Sequence, residues 1–342
     1  MNKRLLYMDI LKIVASFSVV LIHTSDLISN YDYFETQQWW AADFLNSISR
    51  WCVPVFFMLS GATLLNYKSR YTTASFYKKR LLKVLIPFIV WSFIYIIYRI
   101  NIGNLVIFDL KQLILITISG PSMFHMWFFY PLIGFYFITP VLAVIVTNSN
   151  KRIIFFFVSV CIVQNIVYPL INKFFGFQIG FNIPLATKYV DYFLLGYLLK
   201  NLDLSKTYKS IIYILGIIGV MISFISTYIL TLKMQKLDSF FMEYESISVL
   251  MSSISIFLLF KSIPWERLIK HHGCQLLVNK LSAASFGIYL VHIMVMKNFE
   301  LLTGWGNDSR SFMVFGAVII YFISLFIILI LKKIPFLNKI VP

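Results

Sequence analysis

Ten apolar stretches, each near the length that crosses a bilayer, dominate this 342-residue chain. They run roughly over 7–28, 46–66, 82–101, 124–147, 152–170, 185–200, 210–232, 244–262, 281–300 and 311–331. About 20 apolar residues in a helix span the ~30 Å hydrocarbon core of a membrane. Within that core every backbone N–H and C=O must be paired inside the protein. The expected fold is therefore all-α, a polytopic bundle of about ten transmembrane helices. Only 13% of residues are charged, against about 25% in soluble domains. One bundle can absorb the whole chain, so residues 1–342 are read as a single transmembrane domain with no separate soluble domain. The first stretch is too long for a signal peptide and lacks a small-residue cleavage site, so it is read as the first span.

Charge supplies the orientation. If the N-terminus is inside, twenty of the 30 Lys and Arg residues fall in inner segments and nine in outer ones, with Lys12 inside the first span. Basic residues collect on the cytoplasmic side of membrane proteins, so both termini are expected in the cytoplasm. The same asymmetry accounts for the net charge of +16 without a nucleic-acid partner. Cys52, Cys161 and Cys274 show neither a disulfide framework nor metal-ligand spacing. There is no glycine-rich phosphate loop and no HExxH motif, and no metal is expected.

The first span carries an unusual polar load. In YMDILKIVASFSVVLIHTSDLI, residues 7–28, Asp9, Lys12, Ser16, His23 and Asp26 recur at steps that share one helical face with Val19. Lys12 and His23 are eleven residues apart, three turns and about 16 Å along the axis. Ionisable residues inside a span are costly, and by default they mark a functional pathway.

Other groups gather at the two depths this helix marks. Ser60 and Gly61 fall near the depth of Lys12, where small residues let helices approach closely. Lys79, Arg80 and Lys83 form a dense cluster in FYKKRLLKVLIPF, suited both to inner anchoring and to holding phosphate. On the outer side, His125 and Trp127 open the fourth span and His292 lies in the outer half of the ninth. The first outer loop, about 29–45, is acidic and aromatic, with Tyr31, Tyr33, Trp39 and Trp40. Aromatics at that depth read first as interface anchors.

Taken in order, these segments resemble the integral-membrane acyltransferases of acyltransferase family 3, which acylate bacterial cell-surface glycans. The resemblance rests on the pair Lys12 and His23, VPVFFMLSG at 53–61 and KKRLLKVLIPF at 78–88. HMWFFYPLIGFYFITPVL at 125–142 and SFGIYLVH at 285–292 complete it. The family usually has Arg where this chain has Lys12 and Lys83. Lysine keeps the charge but loses the bidentate fork. The C-terminal extracytoplasmic hydrolase-like domain of some members is not expected here.

The resemblance implies a cytoplasmic acyl-CoA donor, acetyl-CoA foremost, and a glycan or lipid-linked sugar acceptor across a bacterial cell membrane. On that reading Lys12, Arg80 and Lys83, with Ser60 and Gly61, belong to the donor site. His23 is the general base, Asp26 orients it, and His125, Trp127 and His292 shape the acceptor mouth. A transporter or polysaccharide exporter is the rival class, since it too needs a polar path. Exporters of this size more often show inverted repeats, which the sequence lacks.

Overall fold

The computed structural model describes residues 5–103, 105 and 109–342. Lys3 and Arg4, counted above among the inner charges, lie outside the described residues. Among those described, every regular element is helical. In chain order the first helices are α1 (Leu6–Thr24), α2 (Gln37–Ser49), α3 (Cys52–Leu64), α4 (Thr73–Arg80), α5 (Ile86–Asn101), α6 (Leu110–Ser119) and α7 (Phe129–Asn148). They are followed by α8 (Lys151–Ile162), α9 (Tyr168–Phe175), α10 (Val190–Lys200), α11 (Lys206–Met234) and α12 (Ile247–Ser262). The last are α13 (Trp265–Leu268), α14 (His272–Thr303) and α15 (Ala317–Leu331). Nine helical stretches among the described residues are long and apolar enough to cross a membrane. Large apolar side chains such as Ile89, Phe156, Ile217 and Phe326 remain exposed on them, as a lipid-facing surface requires.

The sixth expected span is different. Its helix, α10, has 11 residues and reaches about 16 Å, half of the hydrocarbon core. Nearly all of it is buried, and it lies against α3 at two glycines. A Cβ on Gly196 would stand 1.8 Å from the Met58 carbonyl oxygen, and one on Gly61 1.7 Å from that of Phe193. A helix enclosed by protein has no need to match the lipid thickness. Lys188, just before α10, pairs with Glu245, while Lys200 at its end donates to the carbonyl of Ala62.

Residues 37–45, expected in a loop, are helical instead. The Thr36 hydroxyl accepts from the Trp39 N–H and so caps α2, which runs on through α3 as one stretch from Gln37 to Ser69. The loop aromatics pack inward. Trp39 is fully buried, and Phe34 and Trp40 lie against Tyr228 of α11 at 5.7 and 4.6 Å.

Leu5 and Pro342 both line cavities to which Lys12 contributes. The two ends of the described chain therefore meet on one face, here called inner.

Candidate active site

The polar stripe of α1 divides by height. Asp9 is buried and accepts a hydrogen bond from Ser282 of α14 at 2.6 Å; Lys12 stands 3.9 Å from the same carboxylate oxygen. The Ser16 hydroxyl is turned back to the Ile13 carbonyl. Lys12, Val19 and His23 line open space.

That space comprises two cavities that share part of their wall. The inner one, about 380 Å³, is walled by Lys12, Arg80 and Lys83 at its polar end, by Ser60, and by apolar and aromatic side chains above. The outer one, about 50 Å³, is walled by His23, His125, Trp127 and Tyr244. Val19, Val53, Phe128 and Tyr289 line both and form the collar between them. Beside the inner compartment a wider vestibule of about 650 Å³ is shared by Lys12, Arg70 and Lys200.

Local structure explains how the cations face inward. Pro87 lacks an N–H, and its ring clashes with the carbonyl four residues earlier, that of Lys83. The chain answers with a π-helical turn over Leu81–Leu85 between α4 and α5. Such turns re-aim side chains and recur at functional sites. The Arg80 guanidinium lies 5.9 Å from the Tyr136 ring, with its Nε buried and without a hydrogen-bond partner among the described residues. Lys332 lies near Lys83. Burial lowers the Lys332 ammonium below its usual range, and the Lys83 charge lowers it further. This end of the cavity thus gathers cations, with Asp9 beside Lys12 as a counter-charge.

The outer compartment is organised by three histidines from three helical segments. His292 is fully buried on α14, with its ring centre 5.2 Å from those of both His23 and His125. Its Nδ1 stands 2.7 Å from the Tyr289 carbonyl oxygen. A carbonyl only accepts, so Nδ1 carries the proton and Nε2 the lone pair. His125 is boxed by Tyr95, Phe124 and Tyr289 at 5.0, 5.8 and 5.5 Å. His23 is only partly buried and opens on the cavity. No group of three His, Cys, Asp or Glu side chains among the described residues is arranged to hold a metal.

A basic cavity and an imidazole-lined cavity thus adjoin within the bundle. Comparison with known proteins gives the family. The family model described as an acyltransferase domain, that of acyltransferase family 3, matches residues 5–332. The chain belongs to acyltransferase family 3. No curated protein and no solved structure matches it.

Within this acyltransferase the expected site residues sort by position. Lys12, Arg80, Lys83 and Ser60 meet around the inner compartment; His23, His125 and Trp127 meet around the outer one. Gly61 belongs to the α3–α10 contact and does not reach the cavity wall. The Ser60 hydroxyl already donates to the Phe56 carbonyl at 2.9 Å. Asp26 does not join His23. Helix α1 stops at Thr24, Ser25 leaves helical geometry, and Asp26 opens a separate 3-10 turn, Asp26–Ser29. The one-face relation at i,i+3 holds only while the helix continues. Asp26 is exposed and makes no hydrogen bond to His23. His292 is no mouth residue either, being sealed beside His23.

Sequence reasoning missed Tyr289 and Tyr244. Tyr289 lines both compartments, and its hydroxyl donates to the His125 carbonyl. Its signal was present, one turn before His292 in SFGIYLVH, but burial on a shared face is also what an ordinary core tyrosine shows. Tyr244 stacks on Trp127 at 5.6 Å, and nothing local in the sequence pairs them.

Proposed function

We propose that this membrane acyltransferase moves an acyl group, acetyl foremost, from cytoplasmic acyl-CoA to a hydroxyl of a surface glycan or lipid-linked sugar. The observation that supports the reading is that two unlike cavities adjoin. One is lined by Lys12, Arg80 and Lys83, the other by His23, and both meet at one collar. The excess of basic residues on the inner face assigns that face to the cytoplasm, where acyl-CoA is available. Family membership and the bundle fit the plasma membrane of a bacterium, the place where such glycans are built.

Arg80, Lys83 and Lys12 hold the CoA phosphates through charge-assisted hydrogen bonds. The apolar upper wall of the inner cavity takes the pantetheine arm. The rise of about 16 Å from Lys12 to His23 is comparable with that arm when extended. The thioester then stands at the collar. His23 takes the proton of the acceptor hydroxyl as its oxygen attacks the thioester carbonyl. The C–S bond breaks, and the departing thiolate recovers the proton from the imidazolium. Trp127 and Tyr244 give the acceptor sugar an aromatic face to rest on.

The test uses the full chain in lipid nanodiscs with acetyl-CoA radiolabelled in the acetyl group. Label should pass to a glycan or lipid-linked sugar in a base-labile ester, and CoA should appear in equal amount. Hydrolysis of acetyl-CoA with no labelled glycan, or movement of unmodified glycan across proteoliposomes, would overturn the reading.

A further inference from the structure

We propose that His292 is a positioning residue for His23: its Nε2 accepts an N–H from the His23 ring and so turns the other His23 nitrogen, as a free base, toward the outer cavity. The inference rests on the acyl-transfer reading above for its kinetic consequences, but not for the contact itself.

Three observations converge on it. The tautomer of His292 is set by the Tyr289 carbonyl, so Nε2 is a bare acceptor. That nitrogen is buried and has no hydrogen-bond partner among the described residues, and a buried acceptor left unmet is destabilising. The ring centres of His23 and His292 are 5.2 Å apart. An N–H···N contact of about 3 Å, plus about 1.1 Å from each nitrogen to its ring centre, gives that spacing.

His125 lies equally near His292, but it is confined. Tyr95, Phe124 and Tyr289 crowd its ring. Among the described residues His23 meets one ring besides His292, that of Phe124, and it lines the cavity. Its imidazole can turn about the Cβ–Cγ bond until an N–H meets Nε2. Asp26, the residue first expected to orient His23, is out of place for the task, so the role is open. A neutral imidazole with its own proton tied to the backbone fills it in the manner by which hydrogen-bonded neighbours fix histidine tautomers.

The chain has five histidines, few enough to assign one by one. Full-length protein carrying ¹⁵N-labelled histidine would be examined in nanodiscs, with single His→Gln variants for assignment. A ¹⁵N–¹⁵N coupling across a hydrogen bond should link His23 to Nε2 of His292. In kinetics, His292→Phe should lower kcat about tenfold to a hundredfold with the KM of acyl-CoA and acceptor unchanged. His292→Gln, whose side-chain oxygen can take the place of Nε2, should recover kcat to within a few-fold. Coupling of His292 to His125, absence of any coupling, or a Gln variant no better than Phe overturns the proposal even where transfer is robust. Coupling to His23 in a protein that transfers no acyl group supports the contact, and it is then the function that falls.

Discussion

On the proposed reading, the two cavities solve different problems with different materials. The inner end is roomy, about 380 Å³ with a 650 Å³ vestibule beside it, and its chemistry rides on long cationic side chains, of which Lys83 and Arg70 are exposed. The outer end is about 50 Å³, and its imidazoles are wedged among aromatic rings. A point charge attracts phosphate from many positions, so an anion site tolerates slack. Proton transfer requires heavy atoms about 2.6–3.2 Å apart, so a general base does not. Removing one group should therefore be catastrophic at the outer end and graded at the inner end.

The largest effect should come from His23→Ala. Transfer should fall by about two to four orders of magnitude, while acetyl-CoA binding and membrane insertion persist. A variant that keeps near wild-type turnover removes His23 from the chemistry and dissolves the contrast between the ends.

At the inner end, Arg80→Met should have the largest consequence, because its Nε is buried with no hydrogen-bond partner among the described residues. Acyl-CoA affinity, measured by calorimetry, should drop by about 1.5–3 kcal/mol, the scale of a hydrogen bond to a charged group. Turnover at saturating donor should hardly change. A loss confined to kcat would move Arg80 out of the donor site.

Lys12→Met should weaken acyl-CoA somewhat less, and Lys12→Arg should match or exceed wild-type affinity by restoring the fork. The competing role is neutralisation of Asp9, 3.9 Å away. Asp9 also accepts from Ser282, so it keeps a partner when the lysine goes. Adding Asp9→Asn to Lys12→Met should therefore not restore donor affinity. Full recovery in the double variant would show that Lys12 serves Asp9 alone.

The smallest effect belongs to Lys83, which is exposed. Lys83→Met should cost under about 1 kcal/mol of donor affinity. That increment should vanish between low and ~0.5 M salt, since exposed charges are screened. A salt-insensitive loss at Lys83 would mean a tighter pocket than the inner end displays.

Much of this arrangement was legible in the chain before folding. Hydropathy gives the membrane bundle. The eleven-residue step from Lys12 to His23 places the two at the two cavities, because helical spacing within one element converts directly to distance. The basic cluster of Arg80 and Lys83 is local too, and Pro87, which re-aims it, stands in the same motif. Asp26 shows where that logic stops. The periodicity argument extends the helix past Thr24, but the backbone turns away at Ser25, and the expected dyad is lost with it.

What only the tertiary structure decided are the relations between helices. His23, His125 and His292 come from distant parts of the chain, and their 5.2 Å spacings depend on how α1, α14 and the turn before α7 pack. The close approach of α10 to α3, where Gly61 and Gly196 admit no side chain, is another such relation. Two unlike cavities sharing one collar are likewise a product of packing. The physical reason is that an element's own pattern states which face it buries, whereas the identity of the facing residue belongs to the partner helix.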